Sequence, residues 1–84
     1  MIRYTFTNND IEYYLEFFVD NTFYIGSVIP NALTLHTYPI CTGRFGDNYI
    51  DWENIKNYSY SYKNELTDEV KAICDRYLKL MVFS

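Results

Sequence analysis

The chain has 84 residues, 49% of them apolar and 20% aromatic, and carries a net charge of −4. That length makes one domain, 1–84, which buries only about 60–65% of the surface its unfolded chain exposes; large Tyr and Phe side chains make a core attainable without staples. The aromatic content disfavours disorder, no run approaches the roughly 20 apolar residues of a membrane helix, and two cysteines, Cys41 and Cys74, are too few for a disulfide framework.

The start, Met1-Ile2-Arg3-Tyr4-Thr5, lacks the basic segment, apolar run and cleavage site of a secretory leader. The expected compartment is therefore the cytoplasm, with both cysteines as buried thiols. Charge is unevenly spread. Between Tyr4 and Gly43 there is no Lys or Arg, while Asp10, Glu12, Glu16 and Asp20 all fall there. Direct nucleic-acid binding needs clustered cations and is disfavoured; a basic partner is favoured.

In chain order, Ile2, Tyr4 and Phe6 alternate with polar residues and predict a strand. Thr7-Asn8-Asn9-Asp10 is turn chemistry. Residues 11–19 alternate again, with Ile11, Tyr13, Leu15, Phe17 and Val19 on one face. After a turn at Asp20-Asn21-Thr22, Phe23, Ile25, Ser27 and Ile29 continue that face. A four-residue loop at 7–10 would pair Phe6 with Ile11, and a three-residue loop at 20–22 would pair Val19 with Phe23. A helix competes over 11–19, because Ile11, Tyr14, Leu15, Phe18 and Val19 also form a helical stripe; the β-branched and aromatic content favours the strand.

Leu33 and Leu35 predict a fourth strand that ends before Pro39. Residues 39–48, with Pro39, Gly43, Gly46, Asp47 and Asn48, read as loop. Asp51-Trp52-Glu53-Asn54-Ile55 is a short strand or one helical turn capped by Asp51, and Tyr58-Ser59-Tyr60-Ser61-Tyr62 alternates as a strand. Asn64 or Thr67 caps a C-terminal helix whose apolar stripe is Leu66, Val70, Ile73, Cys74, Tyr77 and Met81. Its acidic start (Glu65, Asp68, Glu69) and basic end (Arg76, Lys79) suit the helix dipole. The expected fold is α+β: a small antiparallel sheet of four to five strands with one C-terminal helix packed on a face. The core should include Tyr4, Phe6, Leu15, Phe17, Ile25, Leu35, Val70, Ile73 and Tyr77.

Few residues suggest chemistry. A structural zinc needs four N or S ligands, and His36, Cys41 and Cys74 are the only His and Cys present. No residue spacing supplies a base, a nucleophile and an orienting group; Asp47, Asp51 and Glu53 would matter only if the fold buried them together. Gly43-Arg44-Phe45-Gly46 has the G-x-x-G spacing that clamps nucleic-acid backbone in KH domains, yet Asp47 follows it and no helix is expected nearby. Tyr58, Tyr60 and Tyr62 would share a strand face, either as a stacking platform or beneath the helix.

The sharper feature is the acidic row. On a strand, Glu12, Glu16 and Asp20 point away from the core, interleaved with Tyr14 and Phe18 and close to Asp10. Solvation and the blunting of a sheet edge explain such a row; a docking surface for a basic protein explains it and the outward aromatics together. The expected partner-binding set is Asp10, Glu12, Tyr14, Glu16, Phe18 and Asp20, with Trp52 as a further aromatic anchor. No cofactor, metal or catalytic residue is expected.

This profile, a short acidic Tyr/Asn/Ile-rich domain without a catalytic motif, is similar to small phage-encoded inhibitors of host defence, including anti-CRISPR proteins. It is equally similar to small immunity proteins and antitoxins. The resemblance implies a non-enzymatic inhibitor that docks on a basic, nucleic-acid-handling protein partner. The alternatives are neutralisation of a toxin and a self-associating accessory module held together by sheet edges or by the tyrosine row.

Overall fold

A computed structural model describes residues 2–58 and 65–83. Five strands form one antiparallel sheet in sequential order, β1 (Ile2–Asn8), β2 (Ile11–Phe17), β3 (Thr22–Val28), β4 (Thr37–Arg44) and β5 (Lys56–Asn57). Among the described residues, a 3-10 turn (Trp52–Asn54) precedes β5 and the helix α1 (Asp68–Phe83) closes the order. The α+β architecture is the one expected, and residues 11–17 are strand, not helix.

Turn chemistry sets the register. Asn9 and Asp10 both hold positive φ, 50° and 65°, which a two-residue hairpin loop of the primed type requires and which Asn and Asp tolerate better than most residues. The loop is therefore two residues, not four. Phe6 pairs with Tyr13, Tyr4 with Leu15 and Ile2 with Phe17, a slip of two residues from the expected pairing. A slip of two preserves which face each side chain occupies.

The second turn has the expected length but lies one residue earlier. Asn21 N–H donates to the Phe18 carbonyl at 3.1 Å, Phe18 N–H to the Thr22 carbonyl at 2.9 Å, and Asn21 has φ 66°. This is a type I turn followed by a left-handed residue. Val19, expected on the apolar face, sits in the turn and is 89% exposed.

The expectation for residues 33–44 is corrected. Leu33 and Leu35 lie in an exposed connection, the strand is Thr37–Arg44, and its residues 39–44 were expected as loop, while 45–48 lie outside the strands as expected. Pro39 is accommodated at a bulge: Ile25 pairs with Cys41 and Gly26 with Pro39, so Ile40 is the extra residue. The kink lets Ile40 and Cys41 both be buried. Proline and glycine marked a bulged strand here rather than a loop.

The core lies between one sheet face and α1. Tyr13, Leu15, Phe17, Phe23, Ile25, Ile40 and Cys41 meet Val70, Cys74 and Leu78. Tyr77 stacks on Tyr4 at 4.4 Å between ring centroids and on Phe6 at 5.7 Å. Of the nine residues expected in the core, Leu35 and Ile73 are outside it, and Leu78, 1% exposed, was not foreseen. Thr67 caps the helix, accepting from Val70 N–H at 3.2 Å. The helix runs on to Phe83, so Arg76 and Lys79 sit before its last turn. Of the expected strand 58–62, only Tyr58 is among the described residues; Asn64 also lies outside them.

The corrected burial gives a paired test. Leu15→Ala should cost about 2–5 kcal/mol because Leu15 is fully enclosed. Leu35→Ala, at a half-exposed position, should stay within about 0.5 kcal/mol. Urea titration of the two variants against the parent reads the difference.

Candidate partner-binding surface

Strand β2 alternates between two surroundings. Tyr13, Leu15 and Phe17 face α1, and Glu12, Tyr14 and Glu16 face away from it. On the side away from the helix, Glu12 is exposed but Tyr14 is 7% and Glu16 9% exposed. The expectation that Tyr14 stands out into solvent is corrected.

Local packing explains this burial. Tyr14 Oη donates to Glu16 Oε1 at 2.8 Å, so the ring lies along the strand instead of rising from it. Tyr24 Oη and Thr37 Oγ1 are 2.6 Å apart, which lays Tyr24 along β3 over Gly26. A Cβ on Gly26 would come within 2.6 Å of Tyr24 Oη and 2.9 Å of Thr37 Cβ. The Tyr14 and Tyr24 rings meet edge-on at 6.0 Å. Two phenols thus roof their own sheet. Burial and the hydrogen bond to Glu16 push the Tyr14 phenol up to about 12.

The acidic row does not run unopposed. Arg3 stands directly across from Glu16 in the β1–β2 register. Asp20 lies beyond the far end of β2, where its Oδ1 accepts from Thr22 Oγ1 at 2.6 Å and Thr22 N–H at 3.1 Å. Those bonds, with a smaller pull from Arg44, lower its carboxyl pKa. Phe18 is half-buried and, with Thr22, Thr42, Arg44 and Lys56, lines an open groove of about 450 Å³.

Trp52 is placed apart from the row. Its ring meets Phe23 edge-on at 5.5 Å, on the helix side of the sheet, and its Nε1 donates to Asp75 Oδ1 of α1 at 3.1 Å. Those contacts tie the 3-10 turn to β3 and to the helix. Of the expected set, the fold keeps Asp10 and Glu12 together at one end, buries Tyr14 and Glu16, and carries Phe18 and Asp20 to the opposite end.

The same end gathers acids that sequence spacing did not associate. Asn8 Nδ2 donates to Glu69 Oε1 at 2.9 Å, and Tyr13 Oη donates to the Glu65 carbonyl at 2.6 Å. These two bonds draw the start of α1 against the Asn9-Asp10 turn. Glu65, Asp68 and Glu69 thereby join Asp10 and Glu12. The only sequence signal was the acidic first turn of the helix, which we read as a complement to its dipole.

The remaining candidates separate. Cys41 is fully buried while His36 is exposed, with Nε2 2.8 Å from Thr34 Oγ1. Asp51 takes the amide of Asn54 at 3.0 Å, and Asp47 and Glu53 are exposed. Gly43 lies in β4 under the Phe23 ring, and Gly46 lies against the Tyr49 ring. Among the described residues no group of three or more His, Cys, Asp or Glu side chains could hold a metal. Tyr58 is half-buried, while Tyr60 and Tyr62 lie outside the described residues.

Gly26→Ala should destabilise the fold by about 1–3 kcal/mol in urea titration, since Tyr24 and Thr37 must both move. A Tyr24→Phe background should recover part of that loss. Alkali gives a second test. Burial pushes the Cys41 thiol up to about 12 and the Cys74 thiol further. These groups and Tyr14 hold their protons more tightly folded than unfolded. Stability should therefore be complete below about pH 9 and fall as pH rises toward about 12. Urea midpoints across that window check the slope, and Tyr14→Phe should flatten its part above pH 10, the ordinary tyrosine value.

No protein-family model, curated protein or solved structure matches the chain.

Proposed function

We propose that the protein is a stoichiometric protein-binding inhibitor that presents its acidic end to a basic surface of a nucleic-acid-handling partner. The observation that carries this reading is the Asn8–Glu69 bond, which unites two acidic segments 61 residues apart in the chain. Asp10 and Glu12 come from the first hairpin, and Asp68 and Glu69 from the helix start, all four exposed. A surface of one sign speeds encounter with the opposite sign and disfavours like-charged partners.

Charge alone gives rate more than affinity, so an anchor is needed beside it. The aromatics first proposed for that role are engaged internally: Tyr14 lies flat on the sheet and Trp52 bonds to Asp75. Phe18 remains half-exposed, but at the other end of β2. The binding surface is therefore built mainly from carboxylates, which mimic the spaced negative charge of a nucleic-acid backbone. Occupation of a nucleic-acid groove is how such a protein would inhibit, as the anti-CRISPR-like profile of the sequence implies.

Affinity capture from a bacterial lysate tests the proposal. The parent should retain a nucleic-acid-handling protein that added nucleic acid displaces. Reversing Glu12 and Asp68 together to Lys should slow association about tenfold or more and remove its salt dependence. Reversing Asp20 to Lys should leave association unchanged. A captured toxin would replace this reading with the immunity-protein one, and capture indifferent to the Glu12/Asp68 reversal would remove the acidic end from the mechanism.

A further inference from the structure

The two edges of the sheet are unlike. At one edge β5 is two residues long. At the other, β1 runs seven residues in unbroken register with β2. Among the described residues no strand pairs with the outer side of β1, and Ile2, Arg3, Thr5 and Thr7 are exposed. Soluble proteins blunt such edges with Lys, Pro, bulges or short length. Strand β1, Ile-Arg-Tyr-Thr-Phe-Thr-Asn, has no Lys, Pro or bulge and carries one charge, Arg3.

The two-residue hairpin decides which backbone groups face out. Asn8 and Ile11, flanking the loop, form a hydrogen-bonded pair, and hydrogen-bonded pairs then alternate along the ladder. Phe6, Tyr4 and Ile2 therefore direct their backbone groups to β2. Arg3, Thr5 and Thr7 direct theirs outward.

We propose that this edge pairs antiparallel with β1 of a second copy of the chain, forming a two-fold dimer with one continuous ten-stranded sheet. The edge is complementary to itself. In the register centred on Thr5, Arg3 stands opposite Thr7 of the second copy, and about six backbone hydrogen bonds form. One strand further along the same row comes Glu12 of the second copy, which pairs with Thr7 within its own hairpin. Arg3 then lies two strand spacings, about 10 Å, from that carboxylate, a gap that extended Arg and Glu side chains span. The two-fold axis makes this contact twice.

The helix side supplies apolar cover. Tyr4 falls opposite Phe6 of the second copy, extending the stack that Tyr77 begins. Above the edge, the flank of α1 carries Ile73, Arg76, Tyr77 and Leu80 around an open groove of about 260 Å³. Leu80 is 60% and Ile2 38% exposed. Pairing of the edges brings the two flanks together and covers these side chains. The contact shares Glu12 with the acidic end, whereas Thr5 and Leu80, where it is tested, lie outside that end.

Sedimentation velocity of the full chain from low to high micromolar concentration should give twice the chain's mass. Thr5→Pro removes an outward N–H that the single chain does not use, and Leu80→Lys places a charge in the covered flank; each should weaken dimerisation about tenfold or more. Hydrogen exchange should show the Arg3, Thr5 and Thr7 amides protected in the dimer and fast on dilution. A parent that stays monomeric across the range overturns the proposal. So does a dimer that both variants leave intact, or one in which those amides exchange freely. If circular dichroism shows that Thr5→Pro does not fold, Leu80→Lys and the exchange pattern decide.

Discussion

Asn9, Asp10, Asn21 and Asn31 hold the backbone in the left-handed region, and no glycine of the chain does. Asparagine and aspartate enter that region at a smaller penalty than other residues with a side chain, because they bond to nearby backbone. Each turn fixes where its strand pair begins, and the pairing fixes every contact across the sheet. With a two-residue first loop, Tyr13 sits beside Phe6, their rings 5.1 Å apart, and its hydroxyl reaches Glu65. A four-residue loop would have set Tyr13 beside Tyr4 and drawn the helix start elsewhere. The position of α1, and with it the acidic end, follows from the geometry of Asn9 and Asp10.

This dependence explains what the sequence made legible. Alternation over residues 2–29 revealed three strands and their faces, because facing has a period of two and survives a slip of two residues. It could not reveal the slip, since either loop length places apolar residues together. The helix was readable from its stripe and from Thr67. The fourth strand was not. Its apolar residues, Ile40 and Cys41, are adjacent because of the bulge and show no alternation, whereas Leu33 and Leu35 alternate without being buried.

The candidate surface was legible only in part, for a related reason. Residues 10–20 contain four carboxylates and no cation, so sequence counting leaves them unopposed. The register then sets Arg3 across from Glu16, and the second turn carries Asp20 toward Arg44. Tyr14 was expected to be exposed because it shares the outward face of the strand with Glu12 and Glu16. Its burial depends on Gly26, which pairs with it across β2 and β3 and lies twelve residues along the chain, and whose missing Cβ leaves room for Tyr24 beside it. Linear charge clusters are a guide to surface only until pairing partners are known.

The fold resolves its charge by separation along the helix. Acidic residues at the N-terminal end of α1 interact favourably with the positive end of its dipole, so they stabilise the helix while they repel one another and the carboxylates of the adjoining turn. The Asn8–Glu69 bond holds the two acidic segments together with a neutral donor, and this leaves the charge of Glu69 in place where a Lys or Arg at position 8 would have cancelled it. A cation there would form the stronger charge-assisted bond. The chain uses an amide instead, and the negative potential at that end of the molecule is preserved. An arrangement that secures the contact without neutralising the field is what the proposed docking on a basic partner requires, while at the β1 edge Arg3 supplies a positive charge and the other exposed side chains of the strand are neutral.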